Sequence, residues 1–137
     1  MPHDPVLVAD THDWLTKASE DLKAAELLLA GDSLLPPQAA FHAQQAAEKA
    51  QKAFLTWHKQ PFPKTHDLRE LGAKCVIVDA TLDGVSSSVA QISGYAVQTR
   101  YPGPWGAPTV AEAQEALRLA RDMYDAVIAR LPNEVNP

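Results

Sequence analysis

The sequence predicts an all-α fold, an antiparallel bundle of three long and two short helices. Apolar residues recur at spacings of three and four along three long segments, which is the period of an α-helix. The one weak strand candidate, residues 75–78, has no second apolar run with turn signals to pair with. A chain of 137 residues fits a single domain, 1–137, and is long enough to bury a core.

The first helix is expected to begin at Thr11 or Asp13, since either side chain can cap a helix N-terminus. It should end at Gly31, a residue suited to the position just after a helix. Its apolar positions form one stripe: Trp14, Ala18, Leu22, Ala25 and Leu29.

The second helix is expected from Pro37 to His58, because proline suits a first helical turn and Pro61 and Pro63 follow the segment. Its apolar stripe is rich in alanine, which allows a neighbouring helix to approach closely. The stripe consists of Ala40, Ala43, Ala47, Ala50, Phe54 and Trp57.

Two shorter helices should follow, at 67–75 and 86–97. Asp67 and Glu70 have the spacing of a capping box at the start of the first of them. After the second, residues 100–106 (RYPGPWG) contain prolines and glycines that exclude a helix.

The last long helix should begin after Thr109, which forms an S/T-x-x-E capping box with Glu112. The tail, 132–137, is expected to fray. Seven apolar residues form the stripe of this helix: Val110, Ala113, Leu117, Ala120, Tyr124, Val127 and Leu131.

Charge is distributed unevenly along the chain, whose net charge is −5. Residues 41–75 carry six lysines and arginines against three acids, a local charge of +3, and three of the five histidines. A globally acidic protein is a poor nonspecific binder of nucleic acid, because such affinity scales with the phosphates neutralised. The basic segment is nevertheless compatible with a local phosphate site.

Several other classes of protein are disfavoured by composition. One cysteine, Cys75, rules out an internal disulfide framework and a multi-cysteine metal site. No histidine or carboxylate group has metal-ligand spacing, and no phosphate loop is present, so neither a metal nor a cofactor is expected. The first residues lack a signal-peptide pattern and no apolar run could span a bilayer, so a cytoplasmic protein is expected.

The candidate phosphate ligands lie on the second helix and just after it. His66 and Lys64 stand at a helix entry that could face a phosphate, although His66 could instead cap the helix or pack. His42 and Lys49 lie on the polar face of the second helix, which also carries Gln45 and Lys52. There His42 could line a groove or bond to a neighbouring helix.

The segment after the fourth helix offers a second set of candidates. Arg100 has a forked donor group suited to phosphate or carboxylate, and Tyr101 could stack on a base. The structural alternative pairs Arg100 with an acid and buries Tyr101. Trp105 could stack on a nucleobase or close the end of the bundle or a dimer interface.

Three motifs in order, FHAQQAAEKAQKAFL (41–55), KTHDL (64–68) and TRYP (99–102), resemble those of the HEPN family, as does the first-helix segment WLTKASEDL (14–22). The resemblance covers about residues 11–131. It implies an up-and-down bundle of four to five helices, usually a homodimer, commonly encoded beside a minimal nucleotidyltransferase as a toxin–antitoxin-like pair.

Many members of that family are metal-independent endoribonucleases that use an Arg-x4–6-His motif. This chain departs from the motif, since the corresponding positions after Arg100 hold Trp105, Gly106 or Ala107 and no histidine follows His66. An enzymatic role is therefore left open at this point.

Three functional hypotheses result. The first is a nucleotide- or RNA-binding bundle that partners a nucleotidyltransferase, with Lys49, Lys64, His66 and Arg100 facing phosphate and His42 and Tyr101 beside them. The second is a non-catalytic dimeric protein-interaction module. The third is a metal-independent endoribonuclease, for which His66 and Arg100 are the candidate catalytic residues.

Overall fold

A computed structural model, which describes residues 2–137, shows an all-α bundle as predicted. Three long helices, one of intermediate length and two short ones follow in chain order, with no strand in the described part of the chain. The helices are α1 (Pro5–Leu28), α2 (Pro36–Trp57), α3 (Leu68–Val78), α4 (Asp83–Val89), α5 (Tyr95–Gln98) and α6 (Val110–Ile128). Short 3-10 turns span Ala80–Leu82, Ala90–Ile92 and Asn133–Val135.

Helix α2 is the central element, packed along α1 on one side and α6 on another, with α3 and α5 also against it. Its alanine stripe is buried as predicted. The surrounding helices contribute the larger apolar side chains of the core, including Leu15, Leu71, Met123 and Val127, while α2 supplies Phe54. Small residues on the central helix and large ones around it therefore fill the interior together.

The predicted start of α1 was wrong by several residues. Asp4 caps the helix by accepting a hydrogen bond from the Val6 amide at 3.0 Å, and Pro5 occupies the first turn. Thr11 is buried within the helix, where its hydroxyl donates to the Leu7 carbonyl at 2.8 Å instead of capping. The Asp-Pro pair is thus the true N-terminal signal.

The region after α2 differs from the prediction in two ways. Asp67 does cap α3, since its carboxylate accepts from the Arg69 amide at 2.9 Å. The predicted capping box with Glu70 is absent, because the Asp67 amide donates to the Thr65 hydroxyl at 3.1 Å. Helix α3 also runs on to Val78 and so includes the weak strand candidate.

The helix predicted at 86–97 is broken into α4, a 3-10 turn and α5. Its interruption falls at Ser93 and Gly94, two residues that disfavour a continuous helix. The Ser93 hydroxyl instead accepts a hydrogen bond from the Leu68 amide at 2.9 Å, which ties this turn to the start of α3.

Helix α6 and the tail complete the bundle. The capping box of α6 is confirmed, with the Thr109 amide donating to Glu112 at 3.0 Å and the Glu112 amide donating to Thr109 at 3.1 Å. The expectation of a frayed tail was wrong: Val135 is buried, and its carbonyl lies 3.1 Å from Nδ1 of His12 on α1. Searched over residues 2–137, no helix combines the length and apolarity needed to cross a membrane.

Close packing along α2 makes a specific prediction about stability. Replacing Ala47, which is fully buried, by leucine (Ala47→Leu) should lower the free energy of unfolding by about 1–3 kcal/mol, because the added atoms have no space to occupy. Urea denaturation measures the change. The matched variant Ala111→Leu, at an exposed position of α6, should stay within about 0.5 kcal/mol of the wild type. Equal stability of the two variants would contradict close packing at Ala47.

Candidate functional site

A cluster around Asp21, here called the Asp21 cluster, joins α1 to α2. One carboxylate oxygen of Asp21 lies 2.8 Å from Nδ1 of His42, and the other accepts from Nζ of Lys49 at 2.6 Å. Asp21 is nearly buried, whereas His42 and Lys49 are partly exposed. The cluster shows that His42 does bond to a neighbouring helix, and that the charge of Lys49 is already paired.

A second cluster, the Glu48 cluster, joins α2 to the segment before α3. The carboxylate of Glu48 lies 2.8 Å from Nδ1 of His66 and accepts a hydrogen bond from Nζ of Lys52 at 3.0 Å. The Glu48 and Lys52 side chains are only 4% and 9% exposed, while that of His66 is 57% exposed. A buried carboxylate therefore holds a surface histidine.

The position of Lys52 differs from that expected for a residue on an outward polar face. Its ammonium lies 5.6 Å from the ring centroid of Trp14 and 5.8 Å from that of Phe62, in addition to its bond to Glu48. The aliphatic part of the Lys52 side chain lies among apolar groups, and its ammonium contacts a carboxylate and two aromatic rings. Lys52 is therefore part of the interior.

The Glu48 cluster fixes the orientation of the His66 ring. Nδ1 is held by the carboxylate, and the carboxamide of Gln44 donates to the His66 carbonyl at 2.9 Å, so both ring and backbone are restrained. Nε2 is consequently the ring nitrogen left for a ligand. A carboxylate behind one nitrogen of an imidazole is the arrangement that positions histidines for proton transfer or ligand binding.

Arg100 lies over two aromatic rings. Its guanidinium carbon is 5.3 Å from the ring centroid of Phe41 and 5.3 Å from that of Tyr101, distances at which cation–π attraction operates. The arginine salt bridges of residues 2–137 use Arg118, Arg121 and Arg130 but not Arg100. The alternative in which Arg100 pairs with an acid and Tyr101 is buried is therefore wrong. Arg100 has no acidic partner among the described residues, and Tyr101 is exposed.

These groups share one side of α2. Phe41, Gln45 and Glu48 are spaced by four and three residues, which places them along a single face of the helix. At the rise of an α-helix, the ring beneath Arg100 and the carboxylate that holds His66 are about 10 Å apart along the axis. Arg100 and His66 are therefore attached to the same side of α2, about two helical turns apart.

Lys64 adds a further positive charge beside His66. It is exposed, two residues before the histidine, and the lysine salt bridges of the described chain use Lys17, Lys49 and Lys52 but not Lys64. Among the candidate residues, Arg100 and Lys64 thus keep charges that no carboxylate neutralises. We call Lys64, His66 and Arg100, with Phe41 and Tyr101, the anion-facing surface.

The structure places His42 and His66 in different clusters and adds residues that the sequence reasoning missed. His42 and His66 bond to different carboxylates, in the Asp21 cluster and the Glu48 cluster. Asp21, Glu48 and Phe41 are not among the predicted site residues, although all three lie within the family-like motifs of α1 and α2. An acid inside the alanine-rich stretch of α2 is the signal that could have identified Glu48, because a buried charge requires a partner.

No metal site is formed by the residues that the structure describes. Among them, no group of three or more histidine, cysteine, aspartate or glutamate side chains could hold a metal ion.

Comparison with known proteins gives a family and a solved relative. The family described as HEPN domain matches residues 11–131. The chain is also similar to the protein TT1696 from Thermus thermophilus, whose crystal structure superposes with a TM-score of 0.70 at 33% sequence identity, covering 88% of this chain and 98% of that one. No curated protein matches the chain.

The buried pair of Glu48 and Lys52 predicts unequal effects of single and double substitutions. Glu48→Ala should cost about 3–5 kcal/mol in urea denaturation, because it leaves the buried ammonium of Lys52 without its counter-charge. The double variant Glu48→Leu/Lys52→Met removes both charges and should cost less than that single change. Glu20→Ala, which removes an exposed partner of Lys17, should cost at most about 1 kcal/mol. A double variant less stable than Glu48→Ala would refute this account.

Proposed function

The chain belongs to the HEPN domain family, and we propose that it binds the phosphate groups of a nucleotide or RNA on the anion-facing surface. The observation that carries the proposal is the arrangement of Arg100, an exposed arginine over two rings without an acidic partner in the described chain. A guanidinium in that position can donate two hydrogen bonds to one phosphate. The neighbouring Tyr101 ring can stack on a base, because every base has an aromatic face.

The other candidate residues differ in how strongly they should attract a phosphate. Lys64 supplies a second unneutralised charge, and His66 presents Nε2 beside it. His42 and Lys49 share their interaction with Asp21, so their attraction for a phosphate is weaker and their first role is to join α1 to α2. Deleting either should therefore affect binding less than deleting Arg100.

A protein partner completes the proposal. The family resemblance associates such bundles with a minimal nucleotidyltransferase in a toxin–antitoxin-like pair, and a nucleotide-binding surface is consistent with that association. The pair would act in the cytoplasm, as expected from the sequence. A nucleotidyltransferase reading frame next to this gene would support the pairing, and its absence would favour a stand-alone protein.

A catalytic version of the same surface is an endoribonuclease. In it, His66, oriented by Glu48, would accept the proton of the attacking 2′-hydroxyl, and Arg100 would stabilise the charge that develops on the phosphate. The chain lacks the Arg-x4–6-His motif, so this version relies on a histidine from a different position. It requires that cleavage of RNA be lost in both His66→Ala and Arg100→Ala.

The phosphate proposal is tested with fluorescently labelled single-stranded RNA, with anisotropy as the readout at low and raised salt. Arg100→Ala should weaken binding about tenfold or more, since a hydrogen-bonded charge contributes about 1.5–3 kcal/mol. Lys64→Ala should reduce the slope of log affinity against log salt by about 1. Gel analysis of the same RNA reports cleavage.

The matched control is Arg118→Ala, which removes one positive charge from α6, where Arg118 is paired with Glu115 and Asp122. It should bind RNA as the wild type does. Absence of binding by the wild type at low salt, where electrostatic contacts are strongest, would end the phosphate proposal. So would an equal loss of affinity in Arg118→Ala and Arg100→Ala.

A second candidate function, a dimeric interaction module, is favoured by exposed apolar residues in one stretch of the chain. Val97, Tyr101 and Trp105 are 47%, 55% and 47% exposed. Trp105 packs over Gly103, where an added Cβ would approach the indole to 2.0 Å, so the glycine leaves room for the ring. Aromatic residues of this kind are enriched in protein interfaces.

Sedimentation equilibrium tests the dimeric module. The wild type should be a dimer, and Trp105→Ala should raise the dissociation constant at least about tenfold, the effect of losing one interface aromatic. Ile77→Ala is the matched control, because Ile77 is an exposed apolar residue on α3 and should leave the dimer unchanged. A wild type that stays monomeric at high concentration would contradict a dimeric module.

A further inference from the structure

A polar cavity lies between the start of α3 and the segment that contains α5, next to the anion-facing surface. Its volume is about 410 Å³, within the range of small-molecule sites. The lining combines charged, carboxamide, hydroxyl and aromatic groups: Asp67, Arg69, Ala90, Gln91, Ser93, Gly94, Tyr95 and Gln98.

The cavity adjoins the chain segment that carries His66. Asp67 lines the cavity and directly follows His66 in the chain. Ser93, also in the lining, accepts a hydrogen bond from the Leu68 amide at 2.9 Å, and its hydroxyl lies 3.5 Å from the His66 carbonyl. The cavity therefore begins one residue along the chain from His66, beside the anion-facing surface.

Two carboxamides line the cavity without an intramolecular partner. The hydrogen-bonded glutamine side chains of the described chain are those of Gln44, Gln45, Gln51 and Gln60, so the amides of Gln91 and Gln98 are available to a ligand. Each carboxamide offers a donor and an acceptor side by side. That pairing matches the edge of a nucleobase, as glutamine does with adenine.

Gly94 permits the position of one of these carboxamides. A Cβ at Gly94 would lie 2.5 Å from Nε2 of Gln98, which is closer than such atoms approach. The Gln98 amide is thus folded over the glycine, and any larger residue at 94 would displace it. Because glycine has no side chain, position 94 leaves space for the Gln98 amide in the cavity lining.

Tyr95 provides the aromatic part of the lining. Burial raises the pKa of its hydroxyl, and the nearby Glu112 carboxylate raises it further, so the group is neutral at physiological pH. The phenol is partly buried against the alanines of α2 and α6. A ring held by packing in this way can contact a planar ligand with little loss of side-chain entropy.

We propose that this cavity binds the nucleobase of the nucleotide or RNA whose phosphate is held by the anion-facing surface. The inference rests on the proposed function and extends it, since it assigns base recognition to Gln91 and Gln98 and phosphate recognition to Arg100 and Lys64. Binding should then have two separable parts, one that depends on the base and one that does not.

Isothermal titration calorimetry separates the two parts. The probes are the 5′-monophosphates of adenosine, guanosine, cytidine and uridine, each compared with ribose 5-phosphate, which lacks a base. At least one nucleotide should bind the wild type about tenfold more tightly than ribose 5-phosphate. Gln91→Leu/Gln98→Leu should abolish that advantage while leaving the affinity for ribose 5-phosphate unchanged.

Three further variants distinguish base recognition from phosphate binding and from a change of fold. Gly94→Ala should reduce the nucleotide advantage severalfold although it removes no polar group, because it displaces the Gln98 amide. Gln114→Leu, at an exposed glutamine of α6 outside the cavity, should keep the full advantage. Thermal unfolding of each variant confirms that the bundle is retained. Arg100→Ala should weaken nucleotides and ribose 5-phosphate by the same factor.

The outcomes separate this inference from the phosphate proposal. If ribose 5-phosphate binds but no nucleotide binds more tightly, the cavity does not bind a base and only this inference fails. A nucleotide advantage that persists in Gln91→Leu/Gln98→Leu also overturns it. If neither ribose 5-phosphate nor any nucleotide binds the wild type, both proposals fail together.

Discussion

Close approach of helices along the alanine surface of α2 is the constraint on which the rest of the structure depends. Small side chains at Ala43, Ala47 and Ala50 let α1 and α6 pack near the α2 backbone. Polar residues between or beside those alanines are then drawn into the interior as well. Glu48 and Lys52 are buried for this reason, and because an unpaired charge is costly there, each has a partner.

The same burial connects the core to the surface chemistry. Glu48 has two oxygens; one accepts from Lys52 within the bundle and the other reaches Nδ1 of His66 at the exterior. The His66 ring is therefore positioned by a group that the fold cannot easily move. Asp21 acts in a similar way for His42 and Lys49 on the neighbouring side of α2. Structure and candidate function thus rely on two buried carboxylates.

The sequence predicted the features that depend on helical periodicity, misplaced the start of α1, and missed contacts between residues that are distant in the chain. The alanine stripe of α2, the Thr109 capping box and the family follow from spacing and motifs along the chain, and all were confirmed. The break at Ser93 was missed because that hydroxyl bonds to Leu68, which is distant in sequence. The pairing of His66 with Glu48 was missed for the same reason: it joins residues 18 positions apart on different elements.

An acidic chain can still present an anion site if its cations are divided between two kinds of position. Lys49 and Lys52 are paired with carboxylates, so their charges contribute little to the field outside the protein. Arg100 and Lys64 are exposed without such partners in the described chain, and the guanidinium of Arg100 lies over the ring of Phe41. Two of the six cations of residues 41–75 are thus structural, namely Lys49 and Lys52, whereas Lys64 stays open to a ligand and Arg100 lies beyond that segment. A net charge calculated from composition treats all of these cations alike. In the folded protein, only a cation without a carboxylate partner keeps its full attraction for a ligand.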